Sequence, residues 1–279
     1  MNRVSVITGG AGGMGQATAK IVGRDHILVL CDVRQDRLTA AAATLEGLGM
    51  TVTAVDCDVT GRGAVADLFG TAGNLGTLAS VIHTAGVSPS MGAADYVMRT
   101  NALGTLNVNE AFYAAAGEGS VIVNVASMAA HLLPAEMVPV DQFPLALQDA
   151  DAFMEAMLTT CNIVPEEARS GIAYAVSKSF VKWYSQSQAE RFNARGLRIL
   201  SVSPGSVDTE MGRLEEQAGA GAMVTNAAVP RWGKPEEMAE LLAFCASDKA
   251  GYLTGTDILN DGGVIASMTE RARVAAATG

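Results

Sequence analysis

The chain opens on a short apolar run, Arg3-Val-Ser-Val-Ile7. It breaks at once into Thr8-Gly-Gly-Ala-Gly-Gly-Met-Gly15, and a helical stretch follows from Gln16 to Val22. A strand, a glycine turn and a helix in that order make a phosphate-binding crossover, and this commits the neighbouring strands to a parallel arrangement. Glycine lets the backbone pass close to a pyrophosphate, and the helix start offers unpaired N–H groups and the positive end of its dipole. Thr8, Gly9, Gly13, Met14 and Gly15 are therefore the first candidate cofactor-binding residues.

A second strand, His26-Ile-Leu-Val-Leu30, ends in Cys31-Asp32. An acid at the end of the second strand binds the ribose hydroxyls of NAD and repels the extra phosphate of NADP. Asp32 thus predicts NAD as cofactor. No basic residue stands inside the glycine loop. Arg34 and Arg37 lie just beyond Asp32 and are expected to start the next helix in solvent. The third strand, Thr51 to Val55, runs into Asp56-Cys-Asp58-Val59-Thr60, and the fourth, Leu78 to Ile82, into His83-Thr-Ala-Gly86. Strands alternating with helices at this spacing predict an α/β fold, a doubly wound parallel sheet of Rossmann type with helices on both faces.

Further along stands Tyr174-Ala-Val-Ser-Lys178. On a helix, residues four apart share a face. A tyrosine hydroxyl ordinarily titrates near 10, and a neighbouring ammonium lowers that value. Such a pair can take a proton from an alcohol or return one to a ketone.

Composition narrows the rest. No linker divides the 279 residues, so residues 1–279 read as one domain, and 49% hydrophobic content supplies a large core. The net charge of −10, with no basic run, argues against nucleic acid as a partner. The four cysteines lack metal-ligand spacing and are expected to be buried free thiols, with no metal site. The first strand begins at residue 3 and no apolar stretch is long enough to span a bilayer, so a cytoplasmic protein without membrane contact is expected.

Together these segments resemble the single-domain short-chain dehydrogenase/reductase family, from about residue 3 to 265. Glycines 9, 13 and 15 match its glycine pattern, and Asp58-Val59 matches the pair that flanks the adenine. Asn101-Ala-Leu-Gly104, Val123-Asn-Val-Ala-Ser127, Tyr174 and Lys178 match its active-site segments. Ala85 and Gly86 belong to its post-strand motif, in which His83-Thr84 replaces the usual Asn-Asn. Pro204-Gly205-Ser-Val207-Asp-Thr209 matches the stretch that meets the nicotinamide carboxamide, and Arg231 to Glu237 and Asn260 to Gly263 match C-terminal landmarks. The resemblance implies that Tyr174 exchanges the proton and that Lys178 tunes it and holds the ribose. Ser127 would bond the substrate oxygen, and Asn101 would hold a water behind Lys178. Asn101 is expected within a helix from about 93 to 116, and Tyr174 at the start of one running to Ala194.

Between Ser127 and Tyr174 lie 47 positions, several times the family's usual connection. The helical insertion this implies, about 132–170, is similar to that of the 3α-hydroxysteroid dehydrogenase/carbonyl reductase group. Its apolar residues (Leu132, Phe143, Phe153 and Met157 among them) are expected to roof an apolar pocket together with Met211, Leu214, Met223 and Val224. The expected activity is NAD-dependent interconversion of a hydrophobic secondary alcohol and its ketone, with a steroid-like ring as first guess. The alternative is a non-catalytic NAD-binding sensor or scaffold on the same fold. The insertion is expected to block the family's pairing of the Asn101 and Tyr174 helices. That leaves a homodimer through the helix Pro235 to Ser247 and the strand Leu253 to Leu259.

Overall fold

The computed structural model describes residues 2–278. One parallel sheet organises the chain: β1 (Arg3–Thr8), β2 (Ile27–Asp32), β3 (Val52–Asp56), β4 (Thr77–His83), β5 (Val121–Val125), β6 (Arg198–Pro204) and β7 (Asp257–Asn260), in the order β3-β2-β1-β4-β5-β6-β7. The order reverses between β1 and β4, whose pairing runs to Thr8 beside His83. In such sheets a crevice opens at the carboxyl ends of the strands at that reversal.

Strands covered on both faces read as continuous apolar runs. Leu28 and Leu30 pack on one side of the sheet, Val29 and Cys31 on the other, and all four are fully buried. The first side is covered by α1 (Gly13–Val22), α2 (Gln35–Glu46) and, later in the chain, the helix that begins at Pro235. The second side carries α3 (Arg62–Leu75), α4 (Ala94–Met98), α5 (Gly104–Ala115) and, beyond the insertion, the helix bearing Tyr174.

The helix expected over 93–116 is interrupted. Arg99–Leu103 forms a π turn between α4 and α5, in which the Gly104 N–H reaches back to Arg99 O. This widened turn carries Asn101, fully buried. Where an asparagine pair was replaced by His83-Thr84, the centre of the sheet is still braced. Thr8 Oγ1 meets His83 Nδ1 at 2.7 Å, His83 Nε2 meets Thr105 Oγ1 at 2.9 Å, and Thr84 Oγ1 donates to Thr8 O at 2.7 Å. Burial, helped by the Lys178 charge, pushes His83 down to about 3, so it is neutral.

The insertion holds short 3-10 turns and then α6 (Ala150–Cys161), capped by Asp149, whose carboxylate accepts from the Asp151 and Ala152 N–H groups at 3.0 Å. It runs directly into α7 (Glu166–Ser187), which therefore starts eight residues before Tyr174. Pro165 precedes the helix and Glu166 and Glu167 occupy its first turn, where the dipole favours acids. The expected helix to Ala194 breaks at Gln188 into a separate α8 (Ala189–Asn193).

After β6 come α9 (Glu210–Leu214), a bend with Gly219 at φ 122°, α10 (Gly221–Asn226), α11 (Pro235–Ala246) and α12 (Val264–Thr278), which takes up the alanine-rich tail. The final strand is shorter and later than the expected 253–259. Cys31, Cys57, Cys161 and Cys245 are buried and free. Among the described residues no helix is long and apolar enough to cross a membrane.

Candidate active site

At the crevice the glycine loop is shaped by contacts that exclude a side chain. Gly9 sits at φ +63°, and a Cβ there would lie 2.8 Å from Ala85 N; at Gly15 it would lie 2.4 Å from Gly9 O. Gly12 precedes α1 and offers no side-chain cap, so the first N–H groups of the helix stay free to face the crevice. Asp32 stands at the rim, its carboxylate accepting from Ala11 N at 3.2 Å and Arg34 N at 3.1 Å.

The crevice is a cavity of about 1070 Å³. Asp32, Arg34, Arg37, Asp58 and Val59 line one end; Ser127, Tyr174, Lys178 and Pro204 line the other. Between them lie Gly9, Gly13, Met14, Gly15, Ala85, Gly86, Gly205, Val207 and Thr209. Sixteen of the eighteen candidate catalytic and cofactor-binding residues thus line one cavity. Thr8 and Asn101 do not reach it. Thr8 is buried beneath the loop, bonded to His83 and accepting from Ala85 N.

Asn101 is committed elsewhere. Its Oδ1 accepts from Val87 N at 2.8 Å and its Nδ2 donates to Val87 O at 3.0 Å. This side-chain amide pins the Gly86–Val87 strip. A Cβ at Gly86 would come 3.0 Å from Asn101 Oδ1 and 3.4 Å from Lys178 Nζ, so this strip, Asn101 and Lys178 are in close packing.

Ser127 ends the extended run after β5, and its Oγ accepts from Ala129 N at 3.2 Å. It also bonds the Tyr174 hydroxyl. Lys178 Nζ donates to Val125 O at 2.9 Å and lies 5.9 Å from the Tyr174 ring centre. Burial lowers Lys178 to about 8, because the ammonium has lost water without gaining a carboxylate. Tyr174 departs from expectation: burial raises its hydroxyl, and the Ser127 hydrogen bond only partly offsets this. The helix spacing brings tyrosine and lysine together, but burial, joined by the Glu215 charge, sets the direction of the tyrosine.

The expected apolar roof divides. Of the insertion residues only Leu132 lines the cavity. Phe143, Phe153 and Met157 are fully buried in the core against α7, with Phe153 and Phe180 rings 4.8 Å apart and Phe143 and Trp183 5.5 Å apart. Met211, Leu214 and Met223 do line the cavity, whereas Val224 turns to a separate space of about 250 Å³ beneath α11.

Several lining residues had no motif to mark them. Ser88 is buried and Ser206 Oγ is inaccessible, and among the described residues neither hydroxyl finds a hydrogen-bond partner. Glu210, from the segment after β6, lines the same cavity as Arg37. The glycine cradle, the free helix start, the rim carboxylate and the unpaired hydroxyls fit a dinucleotide with a polar ring at one end.

Fold and site together define a dinucleotide-binding α/β protein with a tyrosine and a lysine on one helix beside its cofactor crevice. The family profile described as short chain dehydrogenase matches residues 3–139, and that described as Enoyl-(Acyl carrier protein) reductase matches residues 156–265. The unmatched stretch between them falls inside the insertion. The short-chain dehydrogenase/reductase bsc3 of Alternaria brassicicola is 30% identical over 96% of this chain and 98% of its own. The 3-alpha-hydroxysteroid dehydrogenase/carbonyl reductase of Comamonas testosteroni is 28% identical over 95% and 97%. Among solved structures, a short chain dehydrogenase of Burkholderia cenocepacia J2315 in complex with NADP superposes with a TM-score of 0.74 at 24% identity, over 93% and 96%. The chain belongs to the short-chain dehydrogenase/reductase family, oxidoreductases that act on alcohol and carbonyl groups with a nicotinamide cofactor.

Proposed function

We propose that the protein is an NAD-dependent oxidoreductase interconverting a bulky hydrophobic secondary alcohol and its ketone. The observation that carries this is the convergence of Ser127, Tyr174 and Lys178 on one end of a cavity whose other end is closed by the braced Asp32 carboxylate. Bound nicotinamide would supply or accept the hydride. Tyr174 gives its proton to the carbonyl oxygen, or takes one from the alcohol. Ser127, already bonded to that hydroxyl, donates to the same oxygen as charge develops there. Lys178 is held by Val125 O and carries a depressed pKa, so it exchanges protons near neutrality and can recharge the tyrosine. Asn101 positions Lys178 through the Gly86–Val87 strip.

Asp32 supports NAD, since a 2′-phosphate would meet a carboxylate already oriented by two backbone N–H groups. Leu132, Met211, Leu214 and Met223 supply an apolar rim, and methionines adapt to varied apolar shapes. A steroid-like ring system suits this rim, and the Comamonas relative's name points the same way. Four free cysteines accord with a reducing cytoplasm.

For assembly, a homodimer through α11 and β7 is the preferred arrangement. The insertion packs on the Phe180–Trp183 part of α7, while Phe244, Tyr252 and Leu259 stay exposed around the β7 edge. Light scattering tests the stoichiometry. The function is tested by a turnover screen with NAD and NADP over secondary alcohols, from short aliphatics to steroids. Turnover with NAD that improves with apolar bulk is expected. NADH binding with no turnover on any substrate would favour a sensor or scaffold.

A further inference from the structure

Two arginines follow Asp32, and both line the cavity at the end where Asp32 stands. From the sequence both belong to a solvated helix start. The structure separates them. Arg34 makes only a loose contact with Asp36 at 3.7 Å. Arg37 is gripped by Glu210, 173 positions away, through both guanidinium nitrogens; the Nη2–Oε1 contact is 2.7 Å. That bidentate geometry is the one a guanidinium also offers a phosphate.

Glu210 opens α9, in the segment whose Met211, Leu214 and Met223 also line the cavity. The ion pair therefore ties the start of α2 to the segment after β6. It also occupies one of the two cations that line the cavity beside Asp32. Burial does not explain the pair: the Arg37 side chain is 39% exposed and that of Glu210 63%. An exposed pair is worth little as a prop for the fold. It still sets which acid Arg37 serves, because a guanidinium chelated on both nitrogens has to give up that partner before taking another.

We propose that Glu210 is a second determinant of cofactor choice, acting as an internal substitute for the 2′-phosphate of NADP. Asp32 repels the phosphate directly; Glu210 withdraws the arginine that would welcome it. NAD leaves the pair intact. NADP gains Arg37 only by breaking it. The inference deepens the NAD assignment above and rests on it.

The test measures binding of NADH and NADPH to the full-length protein, by calorimetry and by nicotinamide fluorescence, without substrate. Wild type, Glu210→Gln, Arg37→Gln and the double variant are compared, with melting temperatures showing that each is folded. Glu210→Gln is expected to tighten NADPH about fivefold and to leave NADH within about twofold, the scale of an exposed ion pair released. In the Arg37→Gln background the same change should move NADPH by less than about twofold, because the effect passes through Arg37. The gain should shrink at high salt. If Glu210→Gln leaves NADPH affinity unchanged, or tightens it equally without Arg37, Glu210 does not act through Arg37 and the proposal is wrong. A wild-type preference for NADPH would overturn the NAD assignment itself, and the guarding role with it. NAD preference with a flat Glu210→Gln response would overturn the guarding role alone.

Discussion

The insertion between Ser127 and α7 and the stretch from Glu210 to Asn226 look alike as text. Each is apolar, methionine-bearing and adjacent to the catalytic wall. In the structure they differ in kind. The insertion sinks Phe143, Phe153, Met157 and Cys161 into the core, all fully buried. It is tied at its entry by His131, whose Nε2 lies 2.9 Å from Asp257 on β7, and Asp257 is bonded in turn by Ser201 and Ser203 of β6. The stretch after β6 buries no residue in α9, the bend or α10, and its Met211, Leu214 and Met223 line the cavity instead. One segment is scaffold and the other is cover. Hydrophobicity alone does not separate them, because a side chain that fills a core and one that greets a substrate avoid water for the same reason. What separates them is shape: aromatic rings packed edge-on and tilted against Phe180 in one, and small or flexible residues around Gly219 and Gly221 in the other.

The division presumes a chemical centre that both segments flank, and Tyr174→Phe measures it. The ring still packs and the cofactor still binds, but the proton carrier is gone. Turnover should fall about 10²–10⁴-fold, the usual worth of a general acid–base group. Steady-state kinetics with cofactor-binding controls checks it. Near-normal turnover would leave neither segment next to a reacting group.

Scaffold and cover should then part in their response to truncation. Phe153→Ala removes a fully buried ring from the contact with Phe180. A cost of about 3–5 kcal/mol is expected, read as a lower denaturant midpoint. The kcat/KM of the molecules still folded should change by less than about threefold. A large loss of kcat/KM at unchanged stability would make the insertion a cover after all.

How much of this was legible beforehand follows from what each contact depends on. The glycine loop could be read because its demands are local: Gly9 needs a positive φ and Gly15 has no room for a Cβ. The alternation of Leu28 and Leu30 with Val29 and Cys31 is likewise written in the strand itself. The start of α7 is marked by Pro165 with Glu166 and Glu167 behind it, and placing it at Tyr174 passed over that signal although nothing between them punctuates the helix. The bond of the Asn101 amide was not legible because its partner is a backbone strip 14 positions away, and residue type alone does not show which atoms a folded chain brings to it. The direction at Tyr174 was hidden for a similar reason. Spacing reports the nearby ammonium but not the burial that raises the hydroxyl. Arg37 and Glu210 meet only through the fold.

The wall between the two segments carries its own cost. Lys178 is buried and drawn down from 10.5 to about 8. Between those values the unfolded chain holds a proton that the folded protein has released. Folding stability should therefore rise with pH across that window, and the full penalty applies below 8. Lys178→Met removes the buried charge along with activity. At pH 7 it should melt no lower than wild type despite losing the bond to Val125 O, with a gain of about 1–3 kcal/mol as the upper range. As pH rises toward 10.5 wild type should catch up. Melting curves of both proteins from pH 7 to 10 show this directly. A wild type that falls further behind as pH rises would mean that the folded state favours the ammonium.

The smallest effect expected is also the one that defines the cover. Leu214 lines the cavity yet is 55% exposed, so truncating it removes little buried surface from the fold. Leu214→Ala should leave the melting temperature within about 1 °C, since surface substitutions usually stay within about 0.5 kcal/mol. Toward substrate the loss is selective. A lost apolar contact in a binding pocket is worth roughly 1 kcal/mol or somewhat more, so KM for a polycyclic alcohol should rise about three- to tenfold. A short aliphatic alcohol that does not reach α9 should show no change, and kcat should hold for both, because the Leu214 side chain carries no proton and no charge. Paired kinetics on one bulky and one small substrate give the ratio that matters. If both substrates weaken equally, the segment positions the cofactor rather than the substrate. If neither moves while the melting temperature drops, Leu214 belongs with Phe153 as packing, and the contrast between the two segments fails at the residue chosen to represent it.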